Sequence, residues 1–385
     1  MTTTVNNEHK NIKVPNLRFK EFQGEWEKKS LDEIGESFIG LTYKPTDVVS
    51  EGGLIVFRSS NIQNGCMDYK DIVRVNKNVK EKLITKKDDL LVCARNGSAR
   101  LIGKNAILHE IDANQTFGAF MMVFRSDINH FVHQLLNTRR YSSQVSENLG
   151  ARINQITSSD LSSFEFFFPK ENSEMNKIAA LLDLLDERIA TQNKIIDKLQ
   201  SLIKGISSRI FASIQGIEYR MGDIVTITNG NSNVQDAVTQ SKEGLYPFFD
   251  RSEDIKYLPT FLFDKEAIIY PGEGTEFMPR YFKGKFALHQ RCYAIFDFNE
   301  IINARFLYFY LKTRNSYFVK NAVGSTVPSL RLDTFQKLKV IIPSKKIQHS
   351  VSLCLSSMEQ KCNVEKKILH KLLKQKQYLL RQMFI

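Results

Sequence analysis

The sequence predicts an α+β protein: two mixed α/β domains in tandem, each followed by a long α-helix, with the two helices pairing as a coiled coil. Three observations carry this prediction. A heptad stripe occupies the middle of the chain, a second stripe closes it, and each is preceded by a similar phrase.

The central stripe reads Met175, Ile178, Leu182, Leu185, Ile189, Gln192, Ile196, Leu199, Ile203, Ile206 and Ile210, at steps that alternate between three and four residues. Only Gln192 is polar. A repeat of about 3.5 residues is a coiled-coil seam, narrower than the stripe of an ordinary surface helix. Burying each of these aliphatic side chains is worth roughly 1.5–3 kcal/mol, so the helix needs a partner of similar length. The end of the chain supplies one: Val351, Leu355, Met358, Cys362, Glu365, Leu369, Leu372, Lys376, Leu379 and Met383 form a weaker stripe with two charged members. The pairing is expected to rest on Ile178, Leu182, Leu185, Ile189, Ile196, Leu199 and Ile203 of the first helix and Leu355, Met358, Leu369, Leu372 and Leu379 of the second.

The phrases before the helices, residues 150–169 and 324–343, match in type at a constant offset: Gly150 with Gly324, Ile153 with Val327, Ile156 with Leu330, Leu161 with Phe335, and Pro169 with Pro343. A large unit is duplicated, globular part plus long helix. The expected order is a disordered lead-in over 1–12, a first domain over 13–170, a central helix over 171–211, a second domain over 212–343 and a terminal helix over 344–385.

A chain of 385 residues is long enough for two domains with separate cores. No apolar run approaches the roughly 20 residues that span a bilayer. The first residues lack the apolar centre of a signal peptide. The five cysteines are scattered without a CxxC pair, which points away from a disulfide framework or zinc site and towards a reducing, cytoplasmic setting. The net charge of +12 fits a polyanionic or acidic partner. Nine basic and two acidic residues fall within 344–385, so much of that surplus sits on the terminal helix.

Within the first domain, Ser30–Ile34 reads as a short capped helix. Residues 54–65 read as a strand running into a polar turn, with a counterpart over 247–255 in which Arg251-Ser252 stands for Arg58-Ser59. Residues 88–98 read as a strand ending in a tight turn, with a counterpart over 265–275. There, Arg95-Asn96 falls against either Gly272-Glu273 or Glu273-Gly274, and Gly97 and Gly274 are placed to supply positive φ. Residues 115–124 and 289–296 are a further strand pair. Single helices are expected near 131–149 and 304–323.

The opening phrase carries Pro15, Leu17, Phe19, Phe22, Gly24, Trp26, Leu31 and Ile34. With the duplicated order of globular unit and long helix, it resembles the specificity subunits of type I restriction–modification systems over nearly the whole chain. The resemblance implies two target-recognition domains on an antiparallel pair of long helices. It implies a subunit that reads two different half-sites of an asymmetric bipartite sequence in double-stranded DNA. Two methylation subunits would dock on the helices and restriction subunits would join for cleavage. S-adenosylmethionine, ATP and Mg would then belong to those partners, with no cofactor on this chain and no membrane. The competing class is a stand-alone coiled-coil DNA-binding regulator or scaffold. A neighbouring reading frame with an Asn-Pro-Pro-aromatic motif distinguishes the two.

No Pro-Pro dipeptide of an amino-methyltransferase motif occurs, and no GxxxxGK[ST] phosphate loop. Glu365 and Lys367 form a nuclease-like Glu-x-Lys, but inside the heptad helix. His130 and His133 lack a third ligand, so a surface helix face is the expected reading, with no metal. No catalytic residue is assigned, and the chain reads as non-catalytic by itself. For DNA, the candidates are loop residues whose forks and hydroxyls match phosphates and base edges. They are Arg58, Ser59, Asn61, Arg95, Asn96, Ser98 and Lys104 in the first domain, and Arg251, Ser252, Thr275, Arg280, Lys283, His289 and Arg291 in the second. The purified chain alone is expected neither to methylate DNA nor to hydrolyse ATP in methyl-transfer and phosphate-release assays; methylation by the isolated chain refutes this.

Overall fold

A computed structural model of the chain describes residues 13–149 and 154–385. The expected lead-in over 1–12, and Gly150 and Ile153 of the duplicated phrase, lie outside the described residues. The chain divides into two units. The first runs to Asn193 and includes Ile368–Ile385; the second is Lys194–Lys367. Each unit therefore owns a share of both long helices, Asn172–Ser213 and Lys345–Met383.

In the first unit, Glu36–Ile39, Met121–Arg125, Leu90–Cys93 and Asn105–Ile107 lie side by side in that order as an antiparallel sheet. Alternation along its strands sorts the side chains between two cores. Leu90, Val92, Met122 and Phe124 face one; Leu91, Cys93, Met121 and Val123 face the other. Both faces are covered, which is why these strands read as continuous apolar runs. A second sheet holds Leu54–Phe57, parallel to Thr116–Phe117 and antiparallel to Arg74–Val75.

The second unit repeats this plan in one six-stranded sheet: Thr226–Asn229, Cys292–Phe296, Phe263–Pro271, Arg280–Leu288, Tyr246–Phe249 and Lys256–Leu258. The long strand Arg280–Leu288 takes the places that Asn105–Ile107 and Thr116–Phe117 hold separately in the first unit. Alternation again divides Ile268, Tyr270, Tyr293 and Ile295 from Ala267, Ile269, Cys292 and Ala294. The duplicated phrase is conformational as well. Ser158–Ser162 and Leu332–Gln336 are both helical, and Glu165–Phe168 and Lys339–Ile342 are both strands. Each strand closes a two-stranded sheet with the unit's opening strand, Glu27–Ser30 or Ile217–Arg220.

Ser30–Ile34 shortens to a single turn over Leu31–Glu33, capped where Glu33 Oε1 accepts from Ser30 N at 2.9 Å. The helices expected as single pieces are broken. Asn129–Leu135 precedes Arg139–Leu149, and Ala304–Lys312 precedes Asn315–Asn321. At each break a threonine hydroxyl, Thr138 or Thr313, donates to a carbonyl three residues back at 2.7 Å, a local bond that competes with helix continuation.

The helices run antiparallel within each unit. In the first, Met175, Ile178 and Leu182 share a core with Leu380, Met383 and Phe384, and Leu185 and Ile189 pack with Leu369, Leu372 and Leu379. In the second, Ile206, Ile210 and Phe211 share a core with Val351, Leu355 and Met358. Ile196 is buried; Leu199 and Ile203 are half-buried. Seam residue Lys376 is accounted for by its ion pair with Asp186 at 2.6 Å.

The first unit's opening phrase is fastened to the start of the central helix. Glu174, 1% exposed, takes the Arg18 guanidinium on both oxygens at 2.7 Å and accepts from Trp26 Nε1 at 3.4 Å. The histidines expected on one surface face are split, with the His130 side chain 45% exposed and His133 inside. His133 is buried against Asn105 Oδ1 at 2.8 Å, and burial pushes its pKa down to about 4. His130 bridges Asp183 at 2.6 Å and Asp88 at 3.3 Å, and the hydrogen bond to Asp183 raises its pKa.

The ring of Phe384 lies 5.3 Å from Phe131 and 6.4 Å from Trp26. Phe384→Ala is expected to cost the first unit about 3 kcal/mol, the lower end of aromatic truncations. Trp26 is the sole tryptophan, so its fluorescence in urea reads that unit alone; an unshifted midpoint would contradict the packing.

Candidate nucleic-acid interface

The strand registers fix which residues of the two units correspond. Cys93 pairs with Met121 and Pro271 with Cys292. Arg95 therefore corresponds to Glu273, Asn96 to Gly274, and Phe120 to Arg291. Isolated bridges agree, Arg95 with Gln155 and Glu273 with Ser329. Of the two sequence alternatives, the register selects Glu273-Gly274. The other sequence match shifts by one. Phe57 and Phe249 are equivalent through their parallel partners Phe117 and Leu288, so Arg58 corresponds to Asp250 and Ser59 to Arg251. Gly274 takes φ +141°; Gly97 does not adopt a positive φ.

In each unit the candidates gather where strands end. In the first, Ser59 follows Leu54–Phe57, Arg95 follows Leu90–Cys93, and Phe120 follows Thr116–Phe117. Asn96 Nδ2 donates to Ser59 Oγ at 2.8 Å, which ties two of these loops together. The Arg95 guanidinium lies 5.2 Å over the Phe120 ring. Arg58 is held by Asp71 at 2.6 Å. Arg58, Ser59 and Phe120 border a cleft of about 790 Å³ floored by Leu41, Tyr43 and Met121. Ser98 is exposed at the loop tip, its N–H bonded to Asn96 Oδ1 at 3.0 Å.

Two first-unit candidates hold other positions. Asn61 is fully buried. Its Oδ1 accepts from Arg58 N at 2.8 Å, and its Nδ2 donates to the carbonyls of Asp68 and Asp71, so it ties the loop rather than facing outward. Lys104 is half-buried with Nζ on the Ile62 carbonyl at 3.0 Å, and burial lowers its pKa.

In the second unit, Arg251, His289 and Arg291 stand at the corresponding rim. Glu273, whose side chain is 14% exposed, is ion-paired with Arg291 and lies 3.9 Å from Arg251, while the arginines are 63% and 69% exposed. One recessed carboxylate thus presents two guanidinium groups outward. Ser252 folds back on Asp250 at 2.5 Å, and Asp250 takes Lys256 at 2.6 Å. Burial raises the pKa of Asp250, but Lys256 and Ser252 outweigh it and hold the carboxyl below its usual range. Arg280 donates to the Ser252 carbonyl and is half-buried, so it braces this loop. Thr275 is exposed just beyond Glu273. Lys283 is not brought to the rim: it is on a strand opposite Glu266, three residues beyond Arg280. His289 has a lowered pKa, first from burial; Arg291 and Arg251 also depress it, while Asp250 and Glu273 oppose.

Two residues outside the sequence candidates belong to these rims, Phe120 and Glu273. Phe120 is 58% exposed, and its carbonyl accepts from the N–H groups of Ala94 and Arg95 at 2.9 and 3.0 Å. An aromatic beside a Gly-Ala pair in an apolar run reads as core, and only the register shows it outside. Among the described residues, no group of three or more His, Cys, Asp or Glu could hold a metal ion, and no helix is long and apolar enough to cross a membrane.

Two copies of one mixed α/β plan, each sharing a long helix pair and each ending in its own polar rim, define a tandem module protein. The chain belongs to the family described as type I restriction modification DNA specificity domain, which it matches over residues 23–201 and 217–374. It is 28% identical over 138 residues to the EcoDI specificity subunit of Escherichia coli, covering 36% of this chain and 30% of that one. It is 28% identical over 173 residues to the EcoKI specificity subunit of Escherichia coli K12, covering 43% and 37%. The chain thus spans less than two-fifths of the length of these relatives. The fold resembles the crystal structure of the type I restriction–modification S subunit from M. genitalium, with TM-score 0.67 at 19% identity over 97% of this chain and 99% of that one.

Glu273→Gln removes one of the two carboxylates that support the charge on His289. The His289 pKa should then fall further, and Arg291→Ala should raise it, both followed by NMR titration of the imidazole. A pKa unmoved by either change would separate His289 from this cluster.

Proposed function

We propose that this chain is the DNA-recognition subunit of a type I restriction–modification complex, with one half-site read by each unit. The observation that carries the reading is the contrast at equivalent positions. Arg95 over Phe120 in the first unit becomes Glu273 paired with Arg291 in the second, and Arg58 held by Asp71 becomes Asp250 holding Lys256. A frame repeated closely, with side chains that differ at its outward end, suits the reading of two different sequences. An arginine fork matches the O6 and N7 acceptors of guanine, and Asn96 is of the type that pairs with adenine. The bipartite target is then asymmetric.

In this reading Arg58, Ser59, Arg95, Asn96 and Ser98 act in the first unit, and Arg251, Thr275, His289 and Arg291 in the second. Asn61, Ser252 and Arg280 brace the loops. The helix pair is the docking surface for two methylation subunits, which bring S-adenosylmethionine, and restriction subunits supply ATP- and Mg-dependent cleavage. The basic terminal helix meets such a partner or solvent.

The test is co-expression with the modification subunit and mapping of methylated adenines. Arg95→Ala should weaken or relax one half-site and Arg291→Ala the other, each by about 1–3 kcal/mol if the lost contact was bidentate to a base. Degradation of the same half-site by both substitutions would overturn the assignment of one half-site to each unit.

A further inference from the structure

We propose that Phe120 is a specificity-determining residue of the first unit and that it reads the 5-methyl group of a thymine in the major groove. The inference rests on the DNA-reading function proposed above and names one base contact within it.

The argument begins from what an exposed phenylalanine would otherwise cost. Phe120 leaves 58% of its surface open although the unit has two apolar cores within reach of its strands. Its backbone is firmly held. Its backbone carbonyl takes two N–H donors, from Ala94 and Arg95, and the adjoining Met121 N–H is bonded to the Gly118 carbonyl at 2.8 Å. Gly118 is bonded in turn to Phe57 at 2.9 Å. The frame thus fixes the backbone from which the ring projects, and the ring stands outward with Arg95 over it.

Its neighbours are polar. Arg95 lies over the ring at 5.2 Å, and Asn96 and Ser59 are joined one residue further along the rim. An apolar group set among donors and acceptors of this kind needs an apolar partner on the surface they read. In the major groove the base edges offer one such group, the thymine methyl. The second unit has Arg291 at the equivalent position, so the contact belongs to the first half-site.

The test changes the DNA rather than the fold. With the target mapped for the full chain in complex with its modification subunit, duplexes are made in which each thymine of the first half-site is replaced singly by deoxyuridine. This deletes the methyl group and leaves base pairing intact. For the wild-type complex, one replacement should weaken binding roughly fourfold, the worth of one buried methyl group. For Phe120→Ala the same replacement should make no difference, and thymine-containing DNA should bind like the deoxyuridine duplex bound by wild type. Three results overturn the proposal: a first half-site without thymine, wild-type binding indifferent to every replacement, or a deoxyuridine penalty that persists in Phe120→Ala. A ring acting as a wedge between base steps gives the second result, since unstacking does not need the methyl. If the wild-type complex shows no sequence preference at all, the DNA-reading function fails instead.

Discussion

The fold depends on burying a seam that neither long helix can bury alone. Each unit meets the requirement by taking part of both helices into its own core. In the first unit this closes a loop in the chain: the last residues, through Leu380, Met383 and Phe384, pack among Trp26, Phe131 and Phe168, and Gln382 accepts from Leu17 N at 2.8 Å. The opening phrase is held from the other side by the half-buried Arg18 on the buried Glu174, whose bidentate geometry, with extra bonds to the Gly24 and Gln23 carbonyls, satisfies the guanidinium. Removing Arg18 leaves the buried Glu174 carboxylate without its cation, which is costly. Chain start, chain end and central helix are thus interdependent in this unit.

The same economy explains why the two rims can differ while the frames agree. Strand alternation commits every second side chain to one core or the other, and the register of Cys93 with Met121, or Pro271 with Cys292, sets where the strands stop. Residues beyond those stops have no core obligation. Arg95 and Glu273 occupy such positions, and so do Phe120 and Arg291. Substitution there changes the chemistry at the rim without touching the packing that holds it.

Much of the frame was legible in the sequence because it rests on periodicity. The heptad steps, the duplicated phrase with Leu161 and Phe335 buried at matching places, and the apolar strands all follow from period and type. What escaped depends on single bonds and single residues. The helix breaks fall at Thr138 and Thr313, whose hydroxyl bonds leave no trace in hydrophobic pattern. Arg58-Ser59 and Arg251-Ser252 look alike in sequence but are one residue out of register, because local identity is weaker than the parallel pairing of Phe57 and Phe249. Asn61 has the residue type of a base reader, yet its side chain completes the loop's own backbone bonding. His133 is buried because Asn105 offers it a partner, and nothing in its spacing from His130 announces that.

The rims also differ from a bare cluster of positive charge. Arg58 is tied to Asp71, Arg251 and Arg291 share Glu273, and Arg95 rests on a ring. A free lysine or arginine cluster would favour any polyanion, with affinity set by counterion release. A guanidinium already engaged has less to gain from a phosphate, since it must first loosen its carboxylate. It has more to gain from a partner that meets its outward fork while the carboxylate stays in place. Charge pairing at the rims therefore lowers indiscriminate attraction and favours some directions of the forks over others. On the proposed function, that shifts the balance from backbone contact towards base contact, and much of the basic surplus of the chain lies elsewhere, on the terminal helix.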